Sequence, residues 1–133
     1  MSDFASLLRS IARRPAMYVG TCSLRAISAY LEGYCHALKD VGRDELPLSG
    51  WMRWVESRYL ISHPAWSWAR ILMHVYGDDR AAIEALPELH RAFLARRAEI
   101  GVEGVEDEHR RRFIAEYGRE WHEPAETKTT IDH

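Results

Sequence analysis

The sequence predicts an all-α fold, a compact single-domain bundle of about six or seven helices. Apolar residues recur at spacings of three and four along most of the chain, and the period-two alternation of a half-buried strand is nearly absent. Proline and glycine interrupt these apolar stretches at intervals typical of short helices. The length of 133 residues and the apolar content of 47% suit one domain around one core.

Two helices are predicted in the first third of the chain. The first covers residues 3–13 and ends before Pro15, because the residue before a proline disfavours helical geometry. A connector over residues 15–22 follows. The second helix covers about residues 23–41, and its apolar and polar residues fall on opposite faces. Gly42 ends this helix, as glycine commonly does.

The middle of the chain predicts two shorter helices. A polar loop over residues 43–49 leads to a third helix at about 50–60. A stop and restart at residues 62–64 precedes a fourth helix at about 65–76, and Gly77 ends it.

Proline and glycine divide the last third of the chain. Asp78 or Asp79 caps a fifth helix that ends at Leu86, since Pro87 removes a helical hydrogen bond, and another helix runs from Pro87 to about Arg97. The boundaries of the remaining segments are a glycine-containing loop at 99–106, a last helix at 107–118, the end of the helical domain (1–122) and a polar tail expected to be disordered (123–133).

Charge and composition exclude several classes of function. The net charge of −2 gives no overall attraction to nucleic acid or to an anionic membrane. No window approaches the run of about 18 apolar residues that a membrane span requires, and residues 1–14 lack the apolar stretch of a secretory signal. Cys22 and Cys35 cannot easily face each other along one helix, which indicates reduced thiols. We expect a cytoplasmic protein that binds neither nucleic acid nor membrane.

Patterns for catalysis and for metal binding are missing. No two of the seven histidines stand three or four residues apart, and the two cysteines lack the spacing of a zinc site. Neither a phosphate-binding glycine loop nor a GxSxG nucleophile motif is present. The basic run at 109–112 follows acidic residues at 106–108, which favours a solvated helix face. We expect no catalytic residue, no metal and no cofactor.

The run from Ile11 to Gly20, IARRPAMYVG, resembles the segment that opens the ATPase domain of DNA gyrase B subunits. In that family a glutamate on the next helix activates water, and an asparagine one turn later helps to hold magnesium. These positions fall here on Tyr30 and Tyr34, which do neither kind of chemistry. The resemblance therefore does not predict an ATPase. We expect Met17 and Tyr18 to fill the core instead.

The same run and the helix after it also resemble a group of small uncharacterised bacterial proteins. These share an RPxMYxG start, a helix that ends near a Gly-Tyr pair (Gly33-Tyr34 here) and a tryptophan-rich middle. They are similar in size and style to the immunity proteins that neutralise bacterial toxins. The resemblance implies a protein-binding role for this chain, with a toxin as the partner.

Four tryptophans within eighteen residues are the strongest compositional feature, and they have two interpretations. The first is a core made of two packed helices. The second is that one or two of the rings, Trp51 and Trp66 near helix starts, are exposed anchors for a partner. Trp66 and Trp68 are two residues apart on a predicted helix, so we expect one of them to be at least partly exposed.

The sequence therefore predicts a non-enzymatic protein-binding domain, most concretely an immunity-type protein that occludes the active surface of a toxin. One alternative is a ligand-binding or enzymatic domain with a pocket between the second, third and fourth helices, lined by Tyr34, Trp54 and His74, where a buried histidine of shifted pKa would support it. Another is a homodimer closed by an exposed apolar face. The candidate partner-binding residues are Trp51, Trp66, Tyr30, Asp78, Asp79 and Glu84.

Overall fold

The computed structural model describes residues 3–118. Over that range the chain forms six helices and no strand, which confirms the predicted all-α, single-domain bundle. The predicted tail at 123–133 lies outside the described residues. The helices are α1 (Phe4–Arg13), α2 (Ala16–Val19), α3 (Leu24–Asp40), α4 (Trp51–Tyr59), α5 (Trp68–Tyr76) and α6 (Asp79–Tyr117).

The first helices follow the sequence pattern closely. Asp3 caps α1 by accepting a hydrogen bond from a first-turn N–H at 2.7 Å. The predicted connector contains the single turn α2, which ends at Gly20 with a φ of 83°. Ser23 caps α3 by accepting from the N–H of Ala26, and both ends of α3 lie within one residue of the prediction. The buried stripe of α3 is Leu24, Ile27, Leu31 and Cys35.

Helix α5 begins at Trp68, later than predicted. Ser67 caps it by accepting a hydrogen bond from the N–H of Arg70 at 3.2 Å. Before this cap, His63 holds a tight turn: its Nδ1 accepts from the N–H of Ala65, and its carbonyl accepts from the N–H of Trp66. Trp66 therefore precedes the helix instead of lying within it.

Pro87 does not interrupt α6, so the predicted break there is wrong. A proline inside a helix costs about 3 kcal/mol because one hydrogen bond is lost and the ring crowds the preceding turn. The residues on both sides of Pro87 are buried, and a continuous helix places both sets in the core. Their burial offsets the cost of the proline. The buried residues flanking Pro87 are Ala82, Ile83, Leu86, Leu89, His90 and Phe93.

The predicted loop at 99–106 is helical except at Gly101, whose φ of 77° and ψ of 170° break α6 into two segments. Residues 96 and 108 would lie about 18 Å apart along an uninterrupted helix. Instead, Arg96 Nη2 donates to Glu108 Oε2 at 2.7 Å. The chain therefore folds back at Gly101, and the second segment of α6, residues 102–117, returns to pack against α4.

We expect Gly101→Ala to lower the free energy of unfolding by about 1–3 kcal/mol, because L-residues rarely adopt this backbone conformation. Gly33→Ala is the matched control. Gly33 lies inside α3, and an added Cβ would meet nothing within 4 Å, contrary to the close helix contact that a mid-helix glycine suggests. The control should be stabilising by about 0.5–1 kcal/mol. Urea denaturation measures both, and equal effects would contradict the fold-back at Gly101.

Helix α6 is the centre of the bundle and contacts α1, α3, α4 and α5. Arg97 extends this packing to the loop before α4, where its guanidinium donates to the carbonyls of Leu46 and Ser49. The loop therefore closes over the core without leaving these two carbonyls unpaired.

Candidate functional site

Trp51 is a core residue, and the prediction that it is an exposed anchor is wrong. Only 2% of its surface is exposed. Its ring stacks on Trp54 with centroids 5.6 Å apart, and it makes edge contacts with Trp68 and Phe93. The start of α4 is enclosed by α5 and α6, so a position near a helix terminus is not a surface position here. The interpretation of the tryptophans as a packed core is confirmed for Trp51, Trp54 and Trp68.

Trp66 is the partly exposed member of the Trp66–Trp68 pair, which confirms the prediction that one of the two is at least partly exposed. The reason is different, because Trp66 precedes α5 and does not share a helix with Trp68. Its ring lies 5.6 Å from the rings of both His63 and His74. The guanidinium of Arg70 lies over the indole, 4.8 Å from its centroid.

Two of the predicted acidic contact residues cap helices. Asp78 Oδ1 accepts from the N–H of Ala81 and caps α6, and Asp79 Oδ1 accepts from the N–H of Leu24 at the start of α3, both at 2.7 Å. Glu84 is exposed and lies 3.7 Å from Arg80 in an ion pair one turn away. Asp78 and Asp79 therefore stabilise helix ends, and Glu84 forms a local ion pair. A role of these three residues in partner binding stays a prediction.

Met17, Tyr18 and Tyr30 form an exposed apolar patch, called here the tyrosine patch. Met17 is 71% exposed, Tyr18 is 36% and Tyr30 is 37% exposed. The two tyrosine rings meet edge to face with centroids 5.9 Å apart. The prediction that Met17 and Tyr18 fill the core is wrong, because α2 is one turn long and packs through its other side. Pro15 is buried and Val19 contacts the core instead.

A basic cleft of about 420 Å³ adjoins the tyrosine patch. Its walls include Arg13 and Arg14 at the end of α1 together with Met17 and Tyr18. Both arginines are exposed, and within residues 3–118 neither has a carboxylate within 4.0 Å. The patch therefore has an apolar centre and a positively charged border.

The side chains predicted to line a pocket make three separate contacts. Tyr34 packs against Phe4 of α1, Trp54 stacks in the core, and His74 contacts Trp66 at the surface. Three clefts in the described region, of about 420, 460 and 730 Å³, have other residues as their walls. These contacts give no support to the alternative of a pocket lined by all three.

His90 is a buried histidine whose pKa is lowered, yet it lines none of these three clefts. Burial lowers the pKa of His90, and a hydrogen bond with the Pro47 carbonyl only partly opposes this effect. Nε2 lies 2.9 Å from that carbonyl oxygen, which can only accept, so Nε2 carries a proton and donates there. Its ring also packs against Phe4, Trp51 and Phe93. The histidine thus fixes the loop before α4 to the core.

A buried polar cluster joins α4 to the second segment of α6. Glu56 Oε1 accepts from His109 Nε2 at 3.0 Å and from Arg53 at 2.9 Å, and Oε2 accepts from Ser62 at 3.1 Å. Burial would raise the pKa of Glu56, but the hydrogen bonds from His109 and Arg53 outweigh it and leave this pKa below its usual range. Both Glu56 and His109 are almost fully enclosed, which suits a structural hydrogen bond better than a catalytic dyad.

The sequence pattern missed this cluster. His109 begins a run of basic residues that predicts a solvated face, and that prediction is wrong for His109 itself. Only the fold-back at Gly101 brings His109 to Glu56, 53 positions away in the chain. The one local signal was the spacing of Arg53 and Glu56, which are three residues apart on one helix.

Within residues 3–118, no group of three or more histidine, cysteine, aspartate or glutamate side chains is placed to hold a metal ion. No helix of the described region has the length and apolar character needed to cross a bilayer. Protein-family models give no match to the chain, and neither curated proteins nor solved structures are significantly similar to it.

Proposed function

We propose that this protein is a non-enzymatic protein-binding domain that contacts its partner through the tyrosine patch. The observation that carries the proposal is the exposure of Met17 at 71% beside two partly exposed tyrosines. The chain has a full aromatic core without them, so the fold does not need these side chains at the surface. Methionine and aromatic residues are enriched where proteins meet, and tyrosine is frequent among the residues that dominate binding energy.

The patch is held in place by rigid elements, which favours binding with little loss of conformational freedom. Helix α2 is fixed by the buried Pro15 at its start and by the left-handed Gly20 at its end. Tyr30 lies in the middle of α3, the helix whose buried stripe enters the core. A surface that is ordered before binding loses less conformational entropy when the complex forms.

The more specific proposal is an immunity-type protein that neutralises a bacterial toxin by covering its active surface. The resemblance of the RPAMYVG segment and of α3 to small bacterial proteins of this style supports it. Arg13 and Arg14 border the patch without a carboxylate within 4.0 Å in the described region, which suits a partner with an acidic rim.

Growth rescue tests this proposal directly. The toxin probe is the C-terminal domain of the protein encoded beside this gene in the native host, expressed from an inducible promoter. We expect the wild-type chain to restore growth and to form a complex with this domain on sizing chromatography. The double variant Met17→Ser/Tyr30→Ser should bind at least about tenfold more weakly, since two central contacts are lost.

The double variant Val41→Ser/Ile114→Ser is the matched control, because it removes two exposed apolar side chains away from the patch. It should rescue growth as the wild type does. If no neighbouring gene product is toxic and bound, the immunity proposal is wrong. If both double variants rescue equally, the patch is not the contact surface. A dimer on sizing that Met17→Ser/Tyr30→Ser converts to monomer would assign the patch to self-association instead.

A further inference from the structure

A second cleft in the described region has a volume of about 730 Å³ and shares no lining residue with the tyrosine patch. It is formed where the starts of α3, α5 and α6 meet the turn before α5. Its size is within the range of sites that hold small ligands or a short peptide segment. The residues lining it are Ser23, Arg25, Ala65, Ser67, Ala69, Arg70, Met73 and Asp79.

The neutral and acidic polar side chains of this cleft already have partners within the protein. Ser23 and Ser67 accept hydrogen bonds from the first turns of α3 and α5, and Asp79 accepts from the N–H of Leu24. These groups keep the helix starts in place. The cleft therefore offers a ligand mainly its two guanidinium groups and its apolar wall.

Arg25 and Arg70 carry the charge of the cleft. Both are exposed, and within residues 3–118 no carboxylate lies within 4.0 Å of either. The carboxylate of Asp79 offsets one of these two charges, so the lining residues carry a net charge of +1. By contrast, Arg91 and Arg96 on α6 are paired with nearby glutamates.

Arg70 is held in position by Trp66. Its guanidinium lies over the indole ring, and the rings of His63 and His74 each lie 5.6 Å from that ring. A cation above an aromatic face keeps its N–H groups free at the edge of the guanidinium plane. An ordered guanidinium of this kind binds a carboxylate with less loss of side-chain entropy than a mobile one.

The apolar wall determines what else the ligand carries. The cleft is also lined by Ala65, Ala69 and Met73, which are two small side chains and one flexible thioether. A lone inorganic anion would leave this wall uncovered. A segment with an acidic residue next to an aliphatic residue would satisfy the guanidinium groups and also bury the wall.

We infer that this cleft receives an acidic segment of the protein partner, with a carboxylate held by Arg25 and Arg70 and an adjacent aliphatic side chain against Ala69 and Met73. The inference extends the proposed function, because it names a second contact and the chemistry of the partner at that contact. It makes Trp66 a positioning residue for Arg70.

Two synthetic peptides test the inference without the toxin. One is a short peptide of alternating leucine and glutamate, and its twin has glutamine in place of glutamate. NMR titration follows the side-chain N–H signals of Arg25 and Arg70 and the indole N–H of Trp66. We expect saturable shifts of these signals at millimolar glutamate peptide and none with the glutamine twin. Arg25→Gln and Arg70→Gln should each weaken binding by about fivefold.

Arg43→Gln is the matched control, because it removes one exposed positive charge outside the cleft. It should leave the peptide titration unchanged. No shift with the glutamate peptide, equal shifts with both peptides, or equal weakening by Arg43→Gln would overturn the inference. Equal saturation by inorganic phosphate would show general attraction of anions. Saturation by an oligothymidine alone would assign the cleft to nucleic acid. Either result would overturn the inference.

The two proposals fail in different ways. Loss of growth rescue by the wild type removes the immunity function but leaves the peptide result standing. Full rescue by an Arg25→Gln/Arg70→Gln double variant, together with a negative peptide titration, removes the cleft and leaves the proposed function intact.

Discussion

Trp51→Ala is expected to lower the free energy of unfolding by about 3–5 kcal/mol, the range for truncating a buried tryptophan. Trp51 contacts the rings of Trp54, Trp68, His90 and Phe93, so its loss opens a cavity where α4, α5 and α6 meet. A domain of this size has about 5–15 kcal/mol of stability, so the variant should approach the limit of folding at physiological temperature. Urea denaturation followed by circular dichroism measures the change.

Trp66→Ala is the matched control for this experiment, because it truncates the same side chain at a partly exposed site. Its loss of stability should be less than half that of Trp51→Ala. Trp51→Phe should fall between them, since it keeps an aromatic ring and removes an indole N–H that has no hydrogen-bond partner among the described residues. Equal destabilisation by the two alanine variants would contradict the assignment of Trp51 to the core and of Trp66 to the surface.

Glu56→Ala is expected to lower the free energy of unfolding by about 1.5–3 kcal/mol, the range for hydrogen bonds to a charged group. Glu56 accepts hydrogen bonds from His109, Arg53 and Ser62, so one substitution removes three bonds that join α4, the turn before α5 and the second segment of α6. The second segment should then lose order first. Hydrogen exchange of residues 102–117, compared between variant and wild type, measures this local effect.

The double variant Glu56→Leu/His109→Leu provides the control, since it replaces the pair with apolar side chains. Its loss of stability should be smaller than the sum of the single losses by about 0.5–3 kcal/mol. Additive losses would show that the two residues act independently.

Low pH should destabilise the folded protein through protonation of Glu56. The pKa of Glu56 in the folded protein lies below its usual value of 4.5, so between the two values the folded state binds fewer protons than the unfolded state. The resulting stability is present above about pH 4.5 and is lost as the pH falls through the folded pKa. Glu56→Gln lacks this group and should lose stability less steeply over that acid range than the wild type does.

The class of fold and the first helices are determined by local chemistry. Each local signal acts within a few residues of the chain. These signals are the helical spacing of apolar residues along α3, the caps at Ser23 and Asp78, and the stop signals at Gly20 and Gly77. Sequence alone therefore predicted an all-α bundle and the bounds of α3. It also predicted the aromatic core, as one of two interpretations, because large rings at helical spacing are buried more often than not.

Tertiary packing decided the features on which the candidate sites depend. Helix α6 continues through Pro87 because the segments before and after the proline both bury residues in the core. Local sequence rules do not include the free energy of that burial. The fold-back at Gly101 brings His109 to Glu56, whereas the sequence pattern placed His109 on a solvated face. Trp51 is enclosed by helices that are distant in the chain. Met17 faces outward because α2 is a single turn that packs through its other side.

The physical reason for this division is range. Helix propensity, capping and periodicity arise from contacts between residues up to about four positions apart, and a single sequence shows them directly. Which apolar residue remains exposed, and which arginine remains without a carboxylate, depends on contacts between segments tens of residues apart. The burial of Trp51 and the exposure of Met17 are therefore decided by packing between helices and not by local spacing.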